Sequence, residues 1–297
     1  MKKVLSLLTV IALVAVCAVV FTACNNATTQ GQLKNVWQDY EKYTYSVSYD
    51  GQTGEYVNEI VRYASGASVS VGPNSLKAKN GYLVSGKLTM GTSVVETQCF
   101  FECSEGSTYL VPKATYRKVS ENGADVSVMS GVYEGSTLNY AFKATGSDTQ
   151  TGSVKLSSPY YDNNEFHQSL RGISTFSSSL SFTFNTALIA ADEKTSASLN
   201  FAVNSTENVT TGISVDNGEG GTSPLSVECY KATLSRSTVV ASKTHTLYYS
   251  VNDLKVSVDK GVSDEGWPLA HVLVKIVEPG EKGDVTYVLT AIDIVKA

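Results

Sequence analysis

Three histidines, five cysteines, a Ser-x-x-Lys tetrad and an acidic glycine-rich loop are the parts of this 297-residue chain with chemistry to offer. Metal binding asks for several His, Cys or carboxylate ligands at spacings that let them converge. His167 falls on the flank of a short helical segment, and His245 opens a strand beside Thr244 and Thr246. His271 alternates with Leu273 and Lys275, opposite Val272, Val274 and Ile276. Each reads as a solitary surface or strand-end histidine, so the sequence predicts no metal site and no cofactor. Asp216-Asn217-Gly218-Glu219 lacks the D-x-[DN]-x-[DN]-G order of a calcium loop and reads as a polar turn. Ser257-Val258-Asp259-Lys260 has the spacing by which a lysine can activate a serine, but it ends a strand and has no Ser-Asp-Asn or Lys-Thr-Gly partner. No G-x-S-x-G, Walker, G-x-G-x-x-G or H-E-x-x-H motif is present. The sequence therefore predicts a protein that is not an enzyme, with no catalytic residue to name.

Cys24 carries a more definite expectation. Met1-Lys2-Lys3 is a short positive region and Val4 to Val20 is an uncharged apolar run, the pattern of a secretory signal. Phe21-Thr22-Ala23-Cys24 follows and resembles the lipobox of bacterial lipoproteins, with Phe21 where Leu is usual. The resemblance implies cleavage of a signal peptide at 1–23 and acylation of Cys24, which would anchor the chain in the cell membrane at its extracytoplasmic face, or in an outer membrane where the host has one. The alternative is an uncleaved anchor, since about 20 apolar residues span a bilayer. Either way, Lys2 and Lys3 hold the N-terminus in the cytoplasm and leave the remaining chain outside.

Composition narrows the partners. The 28 acidic against 23 basic residues, a net charge of −5, give no basic footprint for nucleic acid. Seventeen Tyr, two Trp and only six Pro, with abundant Ser, Thr, Val and Gly, favour β structure. In Val94 to Cys103, alternation puts Val95, Thr97, Cys99, Phe101 and Cys103 on one strand face. Four residues of strand span about 13 Å, too far for Cys99 and Cys103 to bridge. The sequence predicts buried thiols, and leaves open a bridge from either one to Cys229.

The elements that must position these groups are mostly strands. Residues 24–32 read as a flexible tether. Leu33, Val36, Trp37 and Tyr40 stand at helical spacing and predict a brief helix packed on the sheet. Period two begins at Tyr43, Tyr45, Val47 and Tyr49, with Asp50-Gly51 as a hairpin turn. Further strands are predicted over 55–63, 81–90, 94–103, 139–144, 180–190, 196–203, 209–215, 225–234, 244–251, 254–258, 270–277 and 285–295. One interruption, around Asp162 to Gly172, predicts a short helix. Asp162 and Glu165 resemble a capping box, Phe166 and Leu170 share an apolar face, Gly172 ends the helix, and His167 and Arg171 occupy the more solvated flank. The expected fold is mainly β: an antiparallel, strongly curved sheet or incompletely closed barrel with one or two short helices. Residues 33–297 form one large β domain, with a possible subdomain break near 216–224.

From Tyr161-Asp162-Asn163 through Val227 to Ala232, Leu247-Tyr248-Tyr249-Ser250, Trp267-Pro268-Leu269 and Tyr287 to Thr290, the C-terminal half resembles a group of uncharacterised bacterial envelope domains. That group is similar to the lipoprotein-carrier fold, an incompletely closed antiparallel barrel curved around helices with an apolar concave face; this chain departs from it in having no strong second helix. The resemblance implies that the chain binds an apolar or amphiphilic ligand, such as a lipid, on its concave surface. The alternative is a structural or interaction lipoprotein with a solid core, whose loops meet another envelope protein. Neither reading has ligand-binding residues that can be named from the sequence.

Overall fold

The computed structural model describes residues 33–103, 109–173, 176–217, 220–236, 244–258, 261–263 and 266–295. The expected signal peptide, the tether, Cys24 and Lys260 of the Ser-x-x-Lys tetrad lie outside the described residues, as do Gly218 and Glu219 of the acidic loop.

Alternation builds the strands. In β1 (Tyr40–Tyr49) Glu41, Tyr43, Tyr45 and Val47 are buried, while the residues between them are partly or fully exposed. The strands β2 (Gln52–Tyr63), β5 (Gly81–Met90), β6 (Ser93–Cys103), β7 (Leu110–Glu121), β8 (Ala124–Glu134), β9 (Thr137–Ala144) and β10 (Gln150–Lys155) follow. Between β2 and β5 a small hairpin, β3 (Ser68–Val71) with β4 (Asn74–Lys77), packs Val69 and Val71 over Leu83 and Phe100. A single helical turn, α1 (Phe166–Ser169), precedes β11 (Ser181–Ile189), β12 (Lys194–Asp216), β13 (Thr222–Arg236) and β14 (His245–Ser250). A minor sheet of β15 (Leu254–Ser257), β16 (Gly261–Val262) and β17 (Trp267–Leu269) comes before β18 (Leu273–Pro279) and β19 (Asp284–Asp293).

Fourteen of these strands form one antiparallel sheet in the order β10-β9-β8-β7-β6-β5-β2-β1-β19-β18-β14-β13-β12-β11. The first and last strands of the chain, β1 and β19, pair at its middle. Strand twist coils a sheet of this size upon itself, and the result is a nearly closed barrel with one unsealed seam between β10 and β11. Side chains rather than a ladder fill the seam: Val154, Leu156, Ala187 and Ile189 cluster with Leu138 and Phe142. A parallel bridge between Tyr160 and Asn185 partly stitches it. Tight turns close one rim. Asp50-Gly51 and Asn122-Gly123 both hold two successive residues at positive φ, the geometry that matches strand twist in a two-residue hairpin.

Several expectations change. The helix expected at 33–40 is absent. Leu33 bridges Ile173, Lys34 N–H donates to the Gly172 carbonyl, and Leu110 N–H donates to the Leu33 carbonyl, so extended pairing satisfies the backbone that a helix would have used. Trp37 packs edge-on against Tyr82 and Phe101 instead of facing a sheet from a helix. The helix at 162–172 is shortened to α1 plus a 3-10 turn at Leu170–Gly172, and its N-cap Glu165 makes no side-chain capping bond. The strands expected at 196–203 and 209–215 are one strand, β12, whose register shifts at Val203/Ser205 and Thr210/Ser214. β12 and β13 are hairpin partners within the one sheet, across the 216–224 region. Cys99 and Cys103 share the inner face of β6, as the alternation predicted, and Cys99, Cys103 and Cys229 are free, buried thiols. Cys229 sits in a separate cluster with Val209, Val227 and Val274.

Candidate functional site

The inner face of the barrel is divided. One end is solid: Trp37, Tyr43, Leu170 and Ile173 pack there as part of the main core. Arg171 is placed among them and is fully buried, not on a solvated flank. Its Nη1 donates to Glu41 Oε2 at 2.6 Å, its Nε donates to the Ala270 carbonyl, and its guanidinium lies 5.1 Å from the centre of the Tyr43 ring. Glu41 accepts in turn from Tyr43 Oη at 2.6 Å and from the Gln38 backbone N–H at 2.7 Å. The flank that carries Arg171 is buried because α1 and its 3-10 turn run inside the barrel, where that side meets the packed end.

The other end is hollow. Between α1 and the rim of hairpin turns lies a cavity of about 640 Å³. Its apolar wall includes Leu88, Leu188, Leu199, Leu234 and Ile276, and Phe166 of α1 contributes to its floor. These leucines come from strand ends that alternate inward beside larger residues, as in Phe182, Phe184 and Leu188 of β11. Tyr56 and Tyr287 meet edge to face at 5.7 Å and add rings to the wall.

Polar groups interrupt this wall at defined places. Arg117 of β7 faces the cavity with its guanidinium making no side-chain hydrogen bond or ion pair among the described residues. Burial lowers its pKa and the Glu278 carboxylate opposes that shift. Arg236 also lines the cavity but is paired with Glu193. Beneath them, Glu165 Oε1 lies 2.5 Å from Thr97 Oγ1, and Asn58 Nδ2 donates to Oε2 at 3.1 Å. Burial, joined by the charge of Asp162 and opposed by the Thr97 and Asn58 bonds, pushes the Glu165 carboxyl up to about 8. Thr97 Oγ1 donates to Glu165 Oε1 and lies 3.4 Å from the Gly86 carbonyl. Asp162 is not a helix cap; it accepts from Tyr133 Oη at 2.8 Å and from the Asn164 backbone N–H at 2.9 Å.

The histidines are not all solitary. His167 of α1, His245 of β14 and Glu278 of β18 converge on the cavity wall, their ligand-capable atoms all within 4.8 Å of one another. His245 Nδ1 lies 3.4 Å and His167 Nε2 3.9 Å from Glu278 Oε1. Burial holds the His167 imidazole down at about 4, so it is neutral. Burial resists ionisation of Glu278 as well, but the nearby imidazoles and the Tyr287 hydroxyl outweigh it and hold the carboxyl at about 2. His271 stays apart. It packs on Phe176 at a ring separation of 4.4 Å, with Nδ1 3.3 Å from the Ser250 carbonyl. A usable signal was present in the sequence: period two puts His245 in phase with Leu247 and Tyr249, and Glu278 in phase with Ile276, all facing inward. A charged or titratable residue in an inward phase asks for a partner, and no strand-local reading supplies one.

These features define a mainly β, nearly closed barrel that is filled at one end and hollow at the other. No protein-family model matches the chain, and no curated protein sequence matches it. Among solved structures it is similar to the crystal structure of a beta-barrel-like protein, of a domain of unknown function named DUF1849, from Brucella abortus. That likeness has 11% sequence identity, covers 88% of this chain and 100% of the other, and has a TM-score of 0.50. At such identity it is a likeness of fold alone. No helix among the described residues is long and apolar enough to cross a membrane.

Proposed function

We propose that this chain is a membrane-anchored, extracytoplasmic lipoprotein that holds an apolar or amphiphilic ligand inside its barrel, without catalysing a reaction. The cavity carries this reading. A volume of about 640 Å³ falls within the range of small-molecule sites, which are mostly apolar with a few placed polar groups. Leu88, Leu188, Leu199 and Leu234 suit a hydrocarbon tail, and Arg117, a guanidinium without an ion-pair partner among the described residues, suits an anionic head. The membrane anchor at Cys24 rests on the sequence pattern alone, and would place the barrel where amphiphiles are abundant. The alternative, a solid-cored scaffold that meets an envelope protein, fits the end filled by Trp37 and Arg171 but gives the hollow end no role.

A titration tests the reading. Residues 33–297 contain every described strand and the whole described core. They are titrated with a fatty acid carrying a polarity-sensitive fluorophore. Saturable binding at one molecule per barrel is expected. Leu199→Trp, which narrows the cavity, is expected to weaken it by about tenfold or more, a loss of about 1.4 kcal/mol. Arg117→Gln is expected to weaken a fatty acid more than the corresponding neutral alcohol. Absence of saturable binding, or binding indifferent to Leu199→Trp, removes the cavity from the account.

A further inference from the structure

The cluster on the cavity wall has a composition that ligand burial alone does not call for. Three elements distant in sequence, α1, β14 and β18, each bring one metal-capable side chain to the same point. His167 Nε2 and His245 Nδ1 are both buried and both lack a hydrogen-bond partner among the described residues. Leaving two buried imidazole nitrogens unsatisfied costs free energy that a folded protein normally avoids. Both approach the same charged atom, Glu278 Oε1: His167 is too distant for a hydrogen bond, and His245, at 3.4 Å, is near enough but poorly directed.

We propose that His167, His245 and Glu278 form a binding site for a divalent transition-metal cation of the zinc class, open to the barrel cavity. Two imidazoles and a carboxylate are a donor set that zinc accepts, and three protein ligands leave a fourth position for water or a bound molecule. Tetrahedral bonds of 2.0–2.2 Å separate neighbouring ligand atoms by about 3.4 Å. The His245–Glu278 separation is already 3.4 Å, and His167 stands 3.9 Å from the same oxygen. A cation between them requires His167 to close on Glu278 Oε1 by about 0.5 Å, and the three ligand atoms, now within 4.8 Å of one another, to draw together. Tyr287 Oη, donating to Glu278 Oε2 at 3.0 Å, fixes the carboxylate from behind, the role outer-shell partners play in metal sites. The open position faces the same space as Arg117, so a metal here and the guanidinium would together address one anionic head. The charge of Arg117 tempers cation affinity, which favours a metal that bonds strongly to imidazole over a hard cation held by charge alone. The site rests on its own geometry and does not require that the cavity take an amphiphile.

The test uses the full chain, purified through a streptavidin-binding tag in non-ionic detergent, stripped with a chelator and dialysed. It is titrated calorimetrically with zinc chloride alone. One equivalent is expected to bind, and cobalt chloride is expected to give the visible absorption of a tetrahedral nitrogen and oxygen site. Since the chain has three histidines, the assignment is closed by substitution. His167→Gln, His245→Gln and Glu278→Gln should each weaken zinc by about tenfold or more, while His271→Gln binds as the unsubstituted chain does. His245 and Glu278 stand near strand ends, so those two variants carry the test if His167→Gln, inside α1, fails to fold. A chain that takes up no zinc, or binds it equally well without His245 and Glu278, overturns the site. A chain that binds zinc but no fatty acid overturns the amphiphile reading and leaves the metal site standing.

Discussion

Arg171 and Glu41 meet at 2.6 Å with no exposed side-chain surface on either. Taking both charges out of water is costly, and their attraction repays it only when the remaining donors and acceptors are satisfied. The Tyr43 hydroxyl, the Gln38 N–H and the Ala270 carbonyl provide most of that satisfaction. Burial and the nearby Glu41 and Tyr43 act in opposite directions on Arg171, and the partners prevail, so its pKa is raised and the guanidinium stays charged. Glu41→Gln therefore leaves a buried cation without its counter-charge, and is expected to destabilise the fold by about 3–5 kcal/mol in urea denaturation. Glu41→Leu with Arg171→Met should recover most of that loss; a double variant no better than the single one would mean that the pair is not the source of the cost. None of this was legible in the sequence. Arg171 stands four residues after His167, which suggested a wet helix flank, and only the enclosure of α1 by strands shows the flank to be dry. The convergence of His167, His245 and Glu278 was hidden for the same reason: residues 111 positions apart along the chain, as His167 and Glu278 are, meet only once the sheet has curled.

Strands were far more legible than their contents. β5 spans Gly81–Met90 as its alternation predicted, and β1, β2, β6, β13 and β19 lie within a few residues of expectation. Such segments carry apolar residues at every second position, as a half-buried strand requires, and β5 and β6 add Leu83 and Phe100 in the opposite phase where the β3–β4 hairpin covers them. β7 and β8 went unpredicted because Pro112, Lys113, Arg117 and Lys118 in the one, and Ser127 and Ser130 in the other, break the apolar phase. Their pairing with β6 and β9 sustains them instead. The seam between β10 and β11 is the element-level weak point, since packing there must do what a hydrogen-bonded ladder does elsewhere. Leu156, buried between the two edges, is expected to cost about 2–5 kcal/mol when changed to Ala. Native-state hydrogen exchange should then quicken in β10 and β11 before it does in β1 and β19, which pair on both sides. Uniform loss of protection across the sheet would show that the seam opens only with the whole barrel.

At the scale of the molecule, a sheet of this width closed around one short helix encloses more space than that helix fills. One end of the interior is core, and the other holds a cavity bounded by leucines, aromatic rings and a small number of charged groups. Apolar surface left facing water is unfavourable, so an occupant would stabilise the folded barrel by mass action. Central to the account is that this cavity holds an amphiphile, and the most direct measurement is denaturing mass spectrometry of residues 33–297 as purified from cells, without added lipid or detergent. One equivalent of an amphiphile, reduced in the Leu199→Trp variant, is predicted, together with a melting temperature that falls on delipidation and returns when the amphiphile is restored. A barrel purified empty, with a melting temperature unmoved by any amphiphile added to it, would contradict the account.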